Sequence, residues 1–312
     1  MTNLAALLTA NVGRYLEKRW DWDAFPANSG YPELERAQMR YIGAGGSPKT
    51  NDRSTLPPGA FTCSLIFQEP GRKASVHHHK IEELFFVHRG RLTMSWQFGD
   101  ETVDFVAGPG DAVLNPVSRP HGFRNDGPED CVLQIMVATA APMSPTYTDH
   151  PSEHAVSPLR PAAPEHLAAY RAEIERYVVR AAETRPQSST VDGGTFVSSP
   201  YVMAGAAGGS IEPSHFTFAV DTLTRGAQTP AYVLDVEEAF MVVDGVLDVE
   251  LLADDGTPAV QRLAARDLVL VPAGVRHRVR NSDAAAVRFA SIVGSAAARP
   301  FGWSSAFASA SA

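Results

Sequence analysis

The stretch ASVHHHKIEELFFVHRG, Ala74 to Gly90, decides the fold, because part of it recurs later in the same chain. Sliding the sequence by 155 residues lays IEELFFVHRGRL (Ile81 to Leu92) over VEEAFMVVDGVL (Val236 to Leu247), with identities at Glu82, Glu83, Phe85, Val87, Gly90 and Leu92. The same slide puts Phe61-Thr62 on Phe216-Thr217 and Gly71 on Gly226. With one extra residue in the second copy, DAVLNPVSRPHGFRN (Asp111 to Asn125) falls on DLVLVPAGVRHRVRN (Asp267 to Asn281). A period this long signals two duplicated domains and not a solenoid of short repeats.

Within each copy the apolar segments are short, rich in Val, Phe, Leu and Thr, and broken by turn pairs such as Gly99-Asp100 and Asp255-Gly256. That pattern predicts an all-β fold, a sandwich or barrel in each half. Helical spacing occurs twice. Leu4 to Leu16 follows Asn3, a suitable cap, and Leu167, Tyr170, Ile174, Tyr177, Val178 and Ala181 form one face of a linker helix over 164–184. The expected organisation is an aromatic N-terminal arm (1–39) holding Trp20, Trp22 and Phe25, a barrel (40–140), a linker (141–194), a second barrel (195–298) and a tail (299–312).

The chain has 312 residues, of which 44% are hydrophobic, enough to bury a core. Its 27 Lys and Arg against 35 Asp and Glu give a net charge of −8, so no broad basic surface is offered to nucleic acid or to anionic lipid. A small-molecule partner fits better. Two cysteines, Cys63 and Cys131, make no disulfide framework. The N-terminal apolar patch lacks preceding Lys or Arg and is soon interrupted, so no signal peptide or membrane span is expected, and the reading is a cytoplasmic protein.

Alternation along a strand puts His77, His79, Glu83, Phe85 and Val87 on one face and His78, Lys80 and Glu82 on the other. His121, after the turn Asn115 to Pro120, is placed to add a fourth ligand from a neighbouring strand. Three neutral imidazoles and a carboxylate suit Fe(II), Mn(II), Ni(II), Co(II) or Zn(II), with open positions for substrate or dioxygen. Phe85, Val87 and Phe123 are candidates for an apolar pocket wall. Asn115, Arg119, Gln134 and Trp96 are candidate anchors for an anionic or phenolic substrate. In the second copy Tyr232 and Leu234 replace His77 and His79, while Glu238 and His277 remain. Two ligands hold a catalytic ion poorly, so no metal is expected there. The survivors read as a buried hydrogen-bonded remnant, or as polar contacts of a metal-free pocket.

The pattern Gly71-x5-His77-x-His79-x3-Glu83-x6-Gly90, then Gly110-x5-Pro116-x4-His121-x3-Asn125, resembles the paired motifs of the cupin superfamily, with Ser118 where the second motif usually has Gly. The resemblance covers both copies, roughly 40–140 and 195–298, and implies a bicupin: two tandem jelly-roll barrels, one metal in the first, and a homodimer. It further implies an oxidoreductase, a dioxygenase with Fe(II) preferred, acting on a small aromatic, phenolic or diketone-like compound. The alternatives are a non-oxidative isomerase, lyase or decarboxylase, and a ligand-binding bicupin without catalysis.

Overall fold

The computed structural model describes residues 3–49, 52–142, 144–152, 159–204 and 210–296; the expected C-terminal tail, 299–312, lies outside them. The chain divides into two compact units, one of residues 19–183 and one combining 1–18 with 184–312. Both are built from β-strands.

The first unit packs two six-stranded sheets face to face. One runs in space Val178–Val179, Ala112–Asn115, Glu83–Arg89, Cys131–Val137, Thr62–Gln68, Ala37–Ile42. The other runs Thr146–Tyr147, Lys73–His78, His121–Arg124, Leu92–Phe98, Glu101–Ala107, Arg160–Pro161. The inward residues of alternating strands, among them Ile66, Phe85, Val87, Met94, Trp96, Leu133 and Ile135, form the core. Glu83–Arg89 lies inside its sheet and is buried on both faces as far as Val87, which explains the unbroken apolar run from Leu84.

The linker differs from expectation. Its helix spans Pro164–Glu175 and stops there, because Val178 and Val179 leave the helix to pair with Val113 and Ala112. That edge pairing satisfies backbone groups that a longer helix would have withheld from the sheet. Ile174 is buried and Leu167 and Tyr170 pack on the core, with the Tyr170 ring stacked on Phe98 at 4.1 Å. Most of the expected linker is therefore part of the first barrel.

The second unit has a seven-stranded sheet in the order Val12–Gly13, Leu268–Val271, Glu238–Asp244, Val287–Val293, Thr217–Leu223, Gly194–Val202, Gln187–Val191. A three-stranded sheet of Pro258–Ala264, Val246–Leu252 and His277–Arg280 faces the other side of its core. The N-terminal helix is shorter than its periodicity suggested, Leu4–Ala10, with Asn3 capping Ala6 N–H at 3.1 Å. Residues Val12 and Gly13 then become a strand against Val269 and Leu268, and Arg14 reaches Asp267 at 2.8 Å. The start of the chain thus completes the barrel formed by its far end; the separate arm keeps only the segment from Arg19 onward, where Trp20 and Trp22 pack on Phe67.

Two turn positions explain identities between the copies. Gly90 has φ +80°, and a Cβ there would lie 2.6 Å from the Asp130 carbonyl; Gly245, at φ +86°, would meet the Ala286 carbonyl at 3.0 Å. Where Gly110 (φ +87°) stands in the first copy, Arg266 stands in the second and keeps the left-handed backbone at φ +71°. The left-handed turn is kept in the second copy; the Arg266 guanidinium bonds the Tyr15 hydroxyl at 2.9 Å and lies over its ring, contacts that offset the strain.

Candidate metal centre

The connection that passes from Lys73–His78 in one sheet to Glu83–Arg89 in the other carries three polar residues into an apolar barrel. Cα pairing sets His77 opposite His121, and Glu83 opposite Asn115. The His77 ring lies 5.2 Å from His79 and 4.7 Å from His121, centroid to centroid. Donor atoms of His77, His79 and Glu83 all fall within 4.8 Å of one another, and His121 Nε2 is 3.0 Å from Glu83 Oε2. All four side chains are buried, with His121 only 1% exposed. The four residues come together, though not on the single alternating strand expected: the strand ends at His78, His79 lies in the connection, and Glu83 opens a strand of the other sheet.

The surroundings fix the rings. His77 Nδ1 donates to the Ser75 carbonyl at 2.7 Å and His121 Nδ1 to the Arg119 carbonyl at 2.9 Å, since a carbonyl only accepts. Both Nε2 atoms are then presented to the centre, the usual way of aiming a metal-binding imidazole. Burial holds His77 well below the ordinary imidazole pKa of 6.5, and the neighbouring His121 and His79 add to this; burial also lowers His79, against the pull of Glu83. Burial alone would raise Glu83, but His79 and His121 outweigh it and hold the carboxyl below 4.5. Neutral imidazoles and an ionised carboxylate are the donor set a divalent cation needs. The 3.0 Å approach of His121 Nε2 to the carboxylate, with Nδ1 already donating, requires a proton or a cation between them. The residues therefore fit a divalent ion.

Beside the donors is a cavity of ≈ 20 Å³, walled by Phe25, Arg36, Phe85, Phe123 and Ile135. Of the expected wall, Phe85 and Phe123 are in place, 5.3 Å apart edge to face, whereas Val87 lies deeper in the core. Of the expected anchors, none lines this cavity. Trp96 is fully buried and spends its indole N–H on Asn115 Oδ1 at 2.9 Å. Arg119 is taken up by Glu173 of the linker helix and stacks over Phe98. Gln134 alternates to the opposite face from Leu133 and Ile135, where it meets His88 Nε2 at 3.1 Å.

Sequence reasoning passed over Arg36 and Tyr147, and placed Phe25 in the aromatic arm without assigning it to this cavity. Arg36 precedes the strand Ala37–Ile42, and its guanidinium donates to the Leu34 carbonyl at 3.2 Å and lies 4.0 Å from the Phe25 ring centroid, with Tyr147 and Glu83 near enough to favour its charge. Tyr147 pairs with His77 across the sheet edge. The only signal in the sequence was an arginine and an aromatic close to a strand start.

In the second barrel the matching side chains join one another. The Tyr232 hydroxyl donates to Glu238 Oε2 at 2.7 Å, His277 Nε2 is 3.0 Å from the same oxygen, and Leu234, at the sequence position of His79, is buried.

The family model of the cupin domain matches residues 64–138 and again 220–293. No curated protein sequence matches the chain significantly. Among solved structures, oxalate decarboxylase of Lactobacillus farciminis in complex with formate is similar with a TM-score of 0.63 at 10% identity, covering 92% of this chain and 86% of that one. Oxalate decarboxylase of Bacillus subtilis, described with Mn(II) centres, is similar with a TM-score of 0.61 at 13% identity, covering 92% and 78%. Vicilin of Corylus avellana, hazelnut, is similar with a TM-score of 0.58 at 14% identity, covering 92% and 86%. Two matched domains on two β-barrels define a tandem-barrel protein. The chain is a bicupin of the cupin superfamily.

Proposed function

We propose that the protein is a divalent-metal-dependent enzyme that acts on a small carboxylate in its first barrel, by a non-oxidative reaction of the decarboxylase or lyase type. One observation carries this reading: four buried donors converge beside a buried guanidinium, Arg36, which feels the charge of Glu83 and whose Nε has no hydrogen-bond partner. His77, His79, Glu83 and His121 would hold the ion, and Mn(II), Fe(II), Ni(II), Co(II) and Zn(II) all suit that set. A bound divalent ion supplies Lewis acidity to a carboxylate oxygen and withdraws charge from the bond that breaks.

The protein's own groups do the rest. Burial lowers the Arg36 pKa to about 10, so the guanidinium still carries its charge at neutral pH and pairs with a substrate carboxylate. Tyr147, at the sheet edge beside His77, favours that charge. Phe85, Phe123 and Ile135 keep water away, which strengthens each charged contact inside. In a decarboxylation the bond between the carboxylate and its neighbouring carbon breaks, the electron pair stays on that carbon, a solvent proton replaces the lost group, and CO2 leaves.

The similarity to oxalate decarboxylases supports this non-oxidative reading over the dioxygenase that the motif resemblance suggested first. The test is to load the protein with Mn(II) or Fe(II), offer small carboxylates, and follow CO2 release together with dissolved oxygen. Release of CO2 with no net oxygen consumption supports the proposal, and its loss in Arg36→Gln supports the anchor. Stoichiometric oxygen uptake with oxygenated products would restore the dioxygenase, and binding without turnover would favour a non-catalytic ligand-binding bicupin.

A further inference from the structure

Four side chains of the first barrel form a closed ring. Asn115 pairs with Glu83 on neighbouring strands of one sheet, and Trp96 pairs with His121 on neighbouring strands of the other. Residues paired in this way share a face of their sheet, with Cβ atoms about 5 Å apart. Two hydrogen bonds then join the sheets, between His121 Nε2 and Glu83 Oε2 at 3.0 Å and from Trp96 Nε1 to Asn115 Oδ1 at 2.9 Å. An indole N–H only donates, so the atom it meets is the amide oxygen, and the amide nitrogen is the free end. That nitrogen, Nδ2, is buried and has no hydrogen-bond partner among the described residues.

The second barrel shows that the fold does not require this amide. Its register is the same: Glu238 pairs with Val271, and His277 with Leu251. The carboxylate and the imidazole are again 3.0 Å apart, but their two neighbours are aliphatic and belong to the core. The orphaned donor thus occurs in the barrel with the full set of four ligands, and the aliphatic pair in the barrel that has lost two of them. A buried N–H without an acceptor costs stability. An amide N–H cannot ligate a cation, because its positive end faces outward, but it can donate to an anion that the cation holds.

We propose that the Asn115 amide, held by Trp96, is the hydrogen-bond donor for an anionic ligand of the bound metal. The proposal deepens the metal reading above and rests on the four donors holding an ion; it does not rest on the reaction. Arg36 lines the small cavity beside the donors and Asn115 does not, so the two groups are separate contacts. Asn115 is a positioning residue for the ion's ligand and not a ligand of the ion.

The test is titration of Co(II)-loaded protein with fluoride and with acetate, read from the visible bands of Co(II), beside a chelator competition for Co(II) affinity. Asn115→Val, which copies the second barrel, should bind both anions about tenfold more weakly while Co(II) affinity changes by less than about threefold. Asn115→Asp keeps the shape and the acceptor for Trp96, which separates the effect from misfolding. Its lost donor and added charge should weaken both anions further, with Co(II) held at least as tightly. Unchanged anion affinities in both variants would overturn the proposal. So would Co(II) and anion affinities that fall in step, since the amide would then be a structural tie only, and so would bands that neither anion shifts in the unmodified protein. Weakened anion binding in a protein that releases no CO2 from small carboxylates would leave Asn115 standing and remove the decarboxylase reading; CO2 release with unchanged anion affinities would do the reverse.

Discussion

In the second barrel Tyr232 donates its hydroxyl to Glu238 at 2.7 Å, at the position where the first barrel has His77 beside Glu83. A tyrosine proton satisfies the carboxylate there, whereas the first barrel offers it only imidazoles. Elemental analysis of protein purified without added metal should therefore find one equivalent of a divalent ion per chain, and close to none in His77→Ala. Two equivalents would mean that Glu238 and His277 also bind metal.

Glu83 faces both His79, at 3.6 Å, and His121, at 3.0 Å, and brings the only negative charge to the donor cluster. Glu83→Gln keeps the shape and removes the charge. Its metal affinity should fall by more than the ~10–100-fold typical of losing an outer partner of a metal ligand. A chelator competition measured on both proteins checks this, and a change below tenfold would take Glu83 out of the ligand set.

The pH dependence of metal-free protein follows from His77 and His79. Both have folded pKa values below 6.5, so between those values and 6.5 the unfolded chain binds more protons than the native one. Stability should accordingly drop as pH falls below about 6.5, by up to ~1.4 kcal/mol per pH unit for each proton involved. Glu83 works in the same direction lower down: its folded pKa is depressed below 4.5, so its contribution is complete above 4.5 and is lost as pH falls through the folded value. Urea melts of metal-free protein from pH 7.5 to 4 should show this decline, and a shallower one in His77→Leu. A flat profile would mean that the imidazoles take up protons as readily in the folded protein as in the unfolded chain.

Asn125 and Asn281 are fully buried and make the same bonds: each side-chain amide donates to two carbonyls, those of Gln68 and Glu129 for Asn125, and of Leu223 and Ala285 for Asn281. Replacing either by alanine leaves buried carbonyls unpaired, at about 1–3 kcal/mol for each group. Both variants should lower the urea midpoint, while metal content survives in Asn281→Ala.

These asparagines also show what was legible in the sequence. Gly90 with Gly245 and Asn125 with Asn281 recur because a left-handed turn and a doubly bonded corner are local demands, repeated wherever the barrel repeats. His77, His79 and Glu83 were legible for a similar reason: they lie close together in sequence, where one strand ends and the next begins. Arg36 was not. Its meeting with Tyr147 depends on how distant strands are ordered in the sheets, which no local period encodes. Arg119 misled because its charge is spent on a helix of the same unit, Glu173, that a motif cannot reveal. The linker helix ran too long on paper because periodicity cannot register the competing edge of a sheet at Val113.

Arg14 and Asp267 form their ion pair across 253 positions of sequence. As the polypeptide leaves the ribosome, its opening helix and strand must wait, without a docking place, until nearly the last strands have been made. The half that carries the candidate metal centre is synthesised in between. An early-emerging segment that docks late is open to proteases and chaperones meanwhile. Fragments designed for separate expression would need to carry the opening eighteen residues with the later half, not with the sequence that immediately follows them.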